Sequence, residues 1–183
     1  MTRARFSLIW LGALTGCLLG LAGCTQYQWG STGQLSFSTL YIKGIRNTTM
    51  APQLSSMTSN ILRDTFNHDG RVQLVNSPDD ADATLEVTIT GYTRAVAAVR
   101  EQDTGLASKF SITVTATCNL IDNRTHKNLF TAREVSIKRD VFTDNGDPHS
   151  SLVSDQLQSE YNTVPLIAET LAQKIVHTVT DVW

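Results

Sequence analysis

Three cysteines, four histidines and a run of basic residues are the side chains of this sequence that could do chemistry. Cys24 stands where an apolar run ends, at Leu21-Ala22-Gly23-Cys24, and Cys17 lies inside that run. Cys118 alternates in register with Ile112, Val114, Ala116 and Leu120, which points it inward as a small apolar side chain. Nothing beside it supplies the base and solvent access that a catalytic thiol needs. His68, His126, His149 and His177 fall at a helix end, in a turn, in a loop and on the last helix. They show no metal-ligand spacing, and no nucleophile motif such as Gly-x-Ser-x-Gly accompanies them. The acids of Asp144-Asn145-Gly146-Asp147-Pro148 lack the alternating ligands and closing Glu of a calcium hand, so a solvated turn is expected there. The sequence therefore assigns no catalytic residue, no metal ligand and no cofactor. Paired carboxylates assembled by the fold are the catalytic arrangement it leaves open.

The N-terminus carries Arg3 and Arg5, then a mostly apolar segment from Phe6 to Leu21, then small residues. That is the layout of a secretory signal, and the apolar part is shorter than the ~20 residues of a spanning helix. The Leu-Ala-Gly-Cys ending resembles a bacterial lipobox. The resemblance implies that the Cys24 thiol receives a diacylglycerol, that cleavage falls before it, and that the new amino group is acylated. The alternatives are an ordinary signal peptide in which Cys24 is incidental, or an uncleaved anchor. Two or more chains hold a protein stably at a bilayer, at ~0.8 kcal/mol per buried methylene. The expected division is 1–23 signal peptide, 24–34 lipidated tether and 35–183 a single domain.

Without Arg3 and Arg5 the mature chain has 13 basic and 17 acidic residues, a net charge of −4. From Arg94 to Arg139 there are eight basic residues against four acids, so this segment is +4 and the remainder −8. A basic middle on an acidic chain is a candidate anion-binding face. Strands with one wet face also carry Lys and Arg there, and that reading stays open. Net acidity, export and the lack of an aromatic-basic motif argue against a nucleic-acid partner. With Cys17 and Cys24 accounted for, Cys118 has no disulfide partner and stability must come from the core.

The elements that must position these residues read as a single α+β domain. Leu35 to Ile45 is a first strand. Asn47-Thr48-Thr49 and Pro52 lead into a helix whose Leu54, Met57, Ile61, Leu62 and Phe66 recur at spacings of three and four, and Gly70 ends it. Val72–Val75 is a short extended run and Ser77-Pro78-Asp79-Asp80 a turn. From Ala83 alternation begins, with a bend at Gly91 and a hairpin tip at Arg100–Gly105. Ser111–Leu120 is the cleanest strand. Asp122–Lys127 turns the chain into a return strand, Asn128–Lys138, with a bulge near Arg133-Glu134. Residues 151–182 form a long helix whose stripe includes Val153, Leu157, Tyr161, Val164, Ile167, Leu171, Ile175 and Val179, with Pro165 expected to kink or divide it. The expectation is a two-layer sandwich: two amphipathic helices on one mostly antiparallel four-stranded sheet, in the order β-α-β-β-β-α.

In that order of elements the chain resembles the LptE family of lipopolysaccharide-assembly lipoproteins. The features are the lipobox, Arg46-Asn47-Thr48-Thr49 with Pro52-Gln53-Leu54, Asp69-Gly70-Arg71, Leu74-Val75, and Ala81-Asp82-Ala83-Thr84-Leu85-Glu86-Val87. Gly91-Tyr92-Thr93-Arg94, the strand before Ile121-Asp122 and the long helix ending at Trp183 complete them. After the lipid site many members have Cys-Gly-Tyr, whereas this chain has Cys24-Thr25-Gln26-Tyr27. The resemblance implies a non-enzymatic protein that sits in the lumen of the outer-membrane barrel LptD, assists its assembly and helps deliver lipopolysaccharide to the outer leaflet. It also implies lipid A phosphates as ligands. Arg94, Arg100 and Lys109 are the first candidates to meet them, then Arg124 and Lys127, since Arg and Lys pair well with phosphate oxygens. For each residue taken singly, ordinary solvated hairpin charge is the competing reading. Thr25, not being Asp, favours the outer membrane by the enteric sorting rule. Gly70-Arg71-Val72-Gln73-Leu74-Val75 and Ala81-Asp82 would equally suit a helper lipoprotein that activates a cell-wall synthase or builds a secretion channel. The identity of the partner separates the two.

Overall fold

The computed structural model describes residues 35–99, 107–142 and 152–181. Cys24 and its tether, Arg100, the 144–148 loop, His149 and Trp183 lie outside them. Six strands and two helices follow one another: β1 (Thr39–Ile42), β2 (Arg46–Asn47), α1 (Gln53–Asp69), β3 (Gln73–Val75), β4 (Ala83–Val99), β5 (Ala107–Asp122), β6 (Lys127–Phe142) and α2 (Leu152–Thr180). A single 3-10 turn, Pro78–Asp80, precedes β4, with the Ser77 hydroxyl accepting from the Asp79 amide.

The sheet runs β3-β1-β4-β5-β6, with β2 also pairing β4. β1 is parallel to both β3 and β4, and β2 is parallel to β4. Only β4-β5-β6 is antiparallel. The expected four-stranded, mostly antiparallel sheet is thus replaced by a mixed one of six. The reason is local. β2 and β3 have two and three residues, too few to show an alternation, and the direction of β3 is set by α1, which returns the chain across the sheet. The expected first strand, Leu35–Ile45, shortens to β1, and β2 follows it where a helix entry was expected.

One face of the sheet is apolar and carries both helices. Leu40, Ile42, Leu85, Ile89, Ile112, Ala116 and Leu120 are fully buried there with Leu54, Leu62 and Phe66 of α1 and Ile167, Leu171 and Ile175 of α2. This follows from period two in the strands meeting period 3.6 in the helices. Gly70 closes α1 at φ +70°, its amide donating to the Phe66 carbonyl, a conformation glycine adopts without the Cβ penalty. Before α1, Asn47 accepts from the Thr49 amide and hydroxyl and donates to the Ala51 carbonyl, so its side chain shapes the helix entry.

The β4–β5 pairing shifts register at Gly91 and again between Val96 and Val99, and the β5–β6 pairing shifts between Cys118 and Ile121. At Gly91 a Cβ would sit 3.3 Å from Thr115 Cβ. On β6 the break comes at Ala132, one residue before the expected position. Ala132 takes φ +50°, and its amide donates to Asn119 Oδ1 at 2.7 Å.

Helix α2 continues through Pro165 as a single element. The carbonyl that loses its amide partner belongs to Tyr161, and both residues are exposed, so that carbonyl is left open to solvent. α2 also crosses the sheet obliquely. Its C-terminal half lies along β6, where Arg133 donates to the Thr178 carbonyl and Arg139 to Thr170 Oγ1. Its N-terminal half reaches β4 at Glu160. The expected apolar stripe is buried from Val164 to Val179, but Leu157 and Tyr161 on the same stripe are 60% and 62% exposed. The stripe outruns the core that its other residues cover.

Candidate functional site

The expected basic residues fall at opposite ends of the sheet. Arg94 and Lys109 lie toward the far end of the β4–β5 hairpin. Arg124 and Lys127 lie at the β5–β6 turn, roughly 40 Å away along β5 at ~3.3 Å per residue. One phosphate-bearing headgroup cannot bridge both pairs, so the structure yields two separate basic groups.

At the far end the residues after Gly91 change phase, which carries Tyr92 and Arg94 to the helix side of the sheet, opposite Val114 and Ile112. The Tyr92 hydroxyl donates to Glu160, and Arg94 meets the same carboxylate at 3.3 Å. Burial, and then the hydrogen bond to Glu160, hold the Tyr92 phenol protonated well above its ordinary range. The Arg94 guanidinium also lies 5.6 Å from the Phe110 ring centroid. Arg94 is thus held by a carboxylate and an aromatic ring rather than standing free in solvent.

Lys109 is on the opposite, open face. It donates to Asp140 at 3.0 Å and lies 5.6 Å from the Phe142 ring centroid. Asp140 also accepts from the Ser111 hydroxyl at 2.6 Å, and these two bonds, Ser111 first, lower its carboxyl pKa. Lys138, exposed on the same face opposite Thr113, adds a cation that the sequence reading did not single out. Its signal was present: Lys138 shares the outward phase of Glu134 and Ser136.

At the near end Arg124 is largely spent on structure. It donates to the Ser36 carbonyl at 2.8 Å and faces Asp82 at 3.7 Å and Asp122 at 3.9 Å. Asp82 in turn accepts from the Ser38 amide and hydroxyl and from the Thr39 amide, which keeps its carboxyl far below the usual carboxylate range. Lys127 opens β6 as an exposed side chain. A cleft of about 390 Å³ beside Arg124 gathers Asp79, Asn123 and His126.

The open face between the two ends bears Thr88, Thr93, Thr113, Thr115, Thr117 and Ser136, and no helix covers it among the described residues. It is a hydroxyl-rich, half-wet wall that also carries Glu86 opposite Asn119 and Glu134 opposite Thr117. The described histidines are dispersed. His68 bonds the Asp64 carbonyl, His177 pairs with Asp181, and His126 sits in the β5–β6 turn. Among the described residues no group of three His, Cys, Asp or Glu side chains gathers as a metal site. Cys118 is fully buried and its thiol is pushed up to about 12, chiefly by burial, so it is no nucleophile at neutral pH.

A family model for lipopolysaccharide assembly, LptE, matches residues 37–179, which take in every described strand, α1 and all of α2 but its last residue. The chain belongs to the LptE family. Solved structures with the same fold include a lipoprotein B from Nitrosomonas europaea, 13% identical, with a TM-score of 0.50 over 84% of this chain and 93% of that one. A minor lipoprotein from Acinetobacter baumannii is 16% identical, with a TM-score of 0.50 over 80% and 93%. A hypothetical protein from Chlamydia trachomatis is 11% identical, with a TM-score of 0.51 over 78% and 95%. At these identities the likeness is one of fold. No curated protein matches the chain.

Proposed function

We propose that this LptE-family chain is a non-enzymatic lipoprotein, anchored through acylated Cys24 at the periplasmic face of the outer membrane. It occupies and helps assemble an LptD-type β-barrel and assists delivery of lipopolysaccharide to the outer leaflet. The observation that carries the reading is the family match across the whole α+β unit. The geometry supports it in one respect. A sheet face lined with hydroxyls suits a polar, water-filled barrel lumen, where an apolar face would be left unsatisfied and a densely charged one would need matching countercharge. In this reading residues 1–23 are the signal, 24–34 the tether and 35–183 the working domain.

Lipid A phosphates would meet the far-end group. Lys109 and Lys138 stand on the open face, Arg94 becomes available only by leaving Glu160, and Arg100 is a further candidate outside the described residues. Arg124 and Lys127 form a second, weaker site at the near end, because Arg124 is already committed to Ser36 and Asp82.

The test is a mild-detergent pull-down of tagged mature protein from its own outer membrane, with mass spectrometry of what accompanies it. Recovery of a large β-barrel near one-to-one is expected. Recovery of a cell-wall synthase, or of the protein alone as a ring, would contradict the proposal.

A further inference from the structure

The two long outer edges of the sheet are β6 and the outer half of β4. β6 is guarded: Arg133 and Arg139 fold onto α2, Lys174 Nζ takes the Ser136 carbonyl at 2.8 Å, and the Ala132 bulge interrupts the ladder. Inward-turned charges, lysine and bulges are the devices by which exposed strands avoid pairing with other chains. The outer half of β4 has an inward-turned charge, Arg94, and register shifts at Gly91 and between Val96 and Val99, but no lysine and no second strand beside it among the described residues. β1 pairs β4 only as far as Leu85 and β2 only at Thr88 and Ile89, and the Thr48 amide bonds the Ile89 carbonyl at the end of that contact. From Thr90 to Val99 that side of β4 has no strand partner among the described residues, and Thr93–Val99 are exposed throughout. Arg94 is the only charge in the stretch, and Glu160 already holds it.

We infer that the free edge of β4, Thr90–Val99, is a strand-pairing site for an extended, uncharged segment of the barrel-forming partner. The inference rests on the function proposed above and names where that partner is gripped. A row of alternating N–H and C=O groups at strand spacing is matched by another peptide backbone, and not by a lipid or a glycan. The small side chains of Ala95, Ala97 and Ala98 allow a second backbone to approach closely. Leu157 and Tyr161, within a turn of Glu160 on α2, are exposed apolar side chains of the kind an added strand would cover. The occupant is therefore a period-two segment, apolar toward α2 and small or hydroxyl-bearing on the other side.

The experiment co-expresses the full chain with its barrel partner and places a photo-crosslinking phenylalanine analogue at Ala95 or Ala97, and at Thr117 on the central strand for comparison. Crosslinks from Ala95 and Ala97 to one short segment of the barrel chain are expected. Their absence, while Thr117 crosslinks and the barrel still co-purifies, overturns the inference and leaves the proposed function standing. Crosslinks from Ala95 and Ala97 only to a second copy of this chain also overturn it. Failure of the wild-type chain to recover any barrel removes both. As an independent check, Ala95→Lys combined with Ala97→Lys places charge on the edge, and barrel recovery should fall about tenfold with an unchanged melting temperature. Undiminished recovery contradicts the inference.

Discussion

Arg94 and Glu160 meet at 3.3 Å, and the pair joins the outer half of β4 to the N-terminal half of α2. Glu160 also receives the Tyr92 hydroxyl, so one carboxylate serves two strand residues. The contact fixes where α2 ends its diagonal across the sheet. It also keeps a candidate phosphate-binding cation occupied.

Glu160→Gln should therefore act in opposite directions on stability and on binding. The amide still accepts from Tyr92 but no longer holds Arg94 by charge. Because Arg94 is 43% exposed, solvent screens the ion pair, and a loss of only about 0.5–1 kcal/mol is expected in urea unfolding. Lipopolysaccharide binding should tighten as Arg94 is released, and the added tightening should vanish in the Arg94→Ala background. Equal binding by wild type and Glu160→Gln would show that Arg94 does not reach phosphate.

The Asp82 carboxylate ties the start of β1 to the entry of β4 through Ser38 and Thr39. Its folded-state pKa is depressed, so it contributes stability above the unfolded carboxylate value and loses it as pH falls. Asp82→Asn should cost roughly 1–2 kcal/mol at neutral pH. The gap between wild type and variant should narrow between about pH 5 and pH 2, as the unfolded carboxyl takes up its proton first. Urea midpoints measured across that range check the sign. A gap that widens toward acid would contradict the assignment.

Thr58 is fully buried on α1, and its hydroxyl has no hydrogen-bond partner. Elsewhere in the helices Thr65, Thr163, Thr170 and Thr178 bond the carbonyl four residues back. Thr58→Val removes an unsatisfied polar atom at nearly constant volume and should stabilise the fold by about 1 kcal/mol. Thermal denaturation of the two proteins decides it.

Much of this arrangement was legible in the residues. The alternation of Ile112, Val114, Ala116 and Cys118 against Thr113, Thr115 and Thr117 foretold both faces of β5, and the 3.6-residue period foretold both helices. What escaped had physical causes. β2 is too short to show a period, β3 read only as a short extended run, and parallel pairing is decided by the helix between strands rather than by the strands. The phase change at Gly91 moved Arg94 to the helix side, away from Lys109, which spacing alone could not show. Leu157 and Tyr161 read as core because a stripe reports which face is apolar, not whether anything packs against its end. Arg124 read as a free hairpin charge, but its partners Ser36 and Asp82 are distant in sequence.

The central claim is that this chain serves lipopolysaccharide assembly at the outer membrane. The most direct measurement depletes it from its own cell and follows newly made lipopolysaccharide by surface labelling, with wild-type complementation as control. The account predicts that surface arrival falls as the protein is lost, that material accumulates on the inner side, and that the barrel partner fails to assemble. Undisturbed lipopolysaccharide at the surface, with the barrel intact in fully depleted cells, would contradict it.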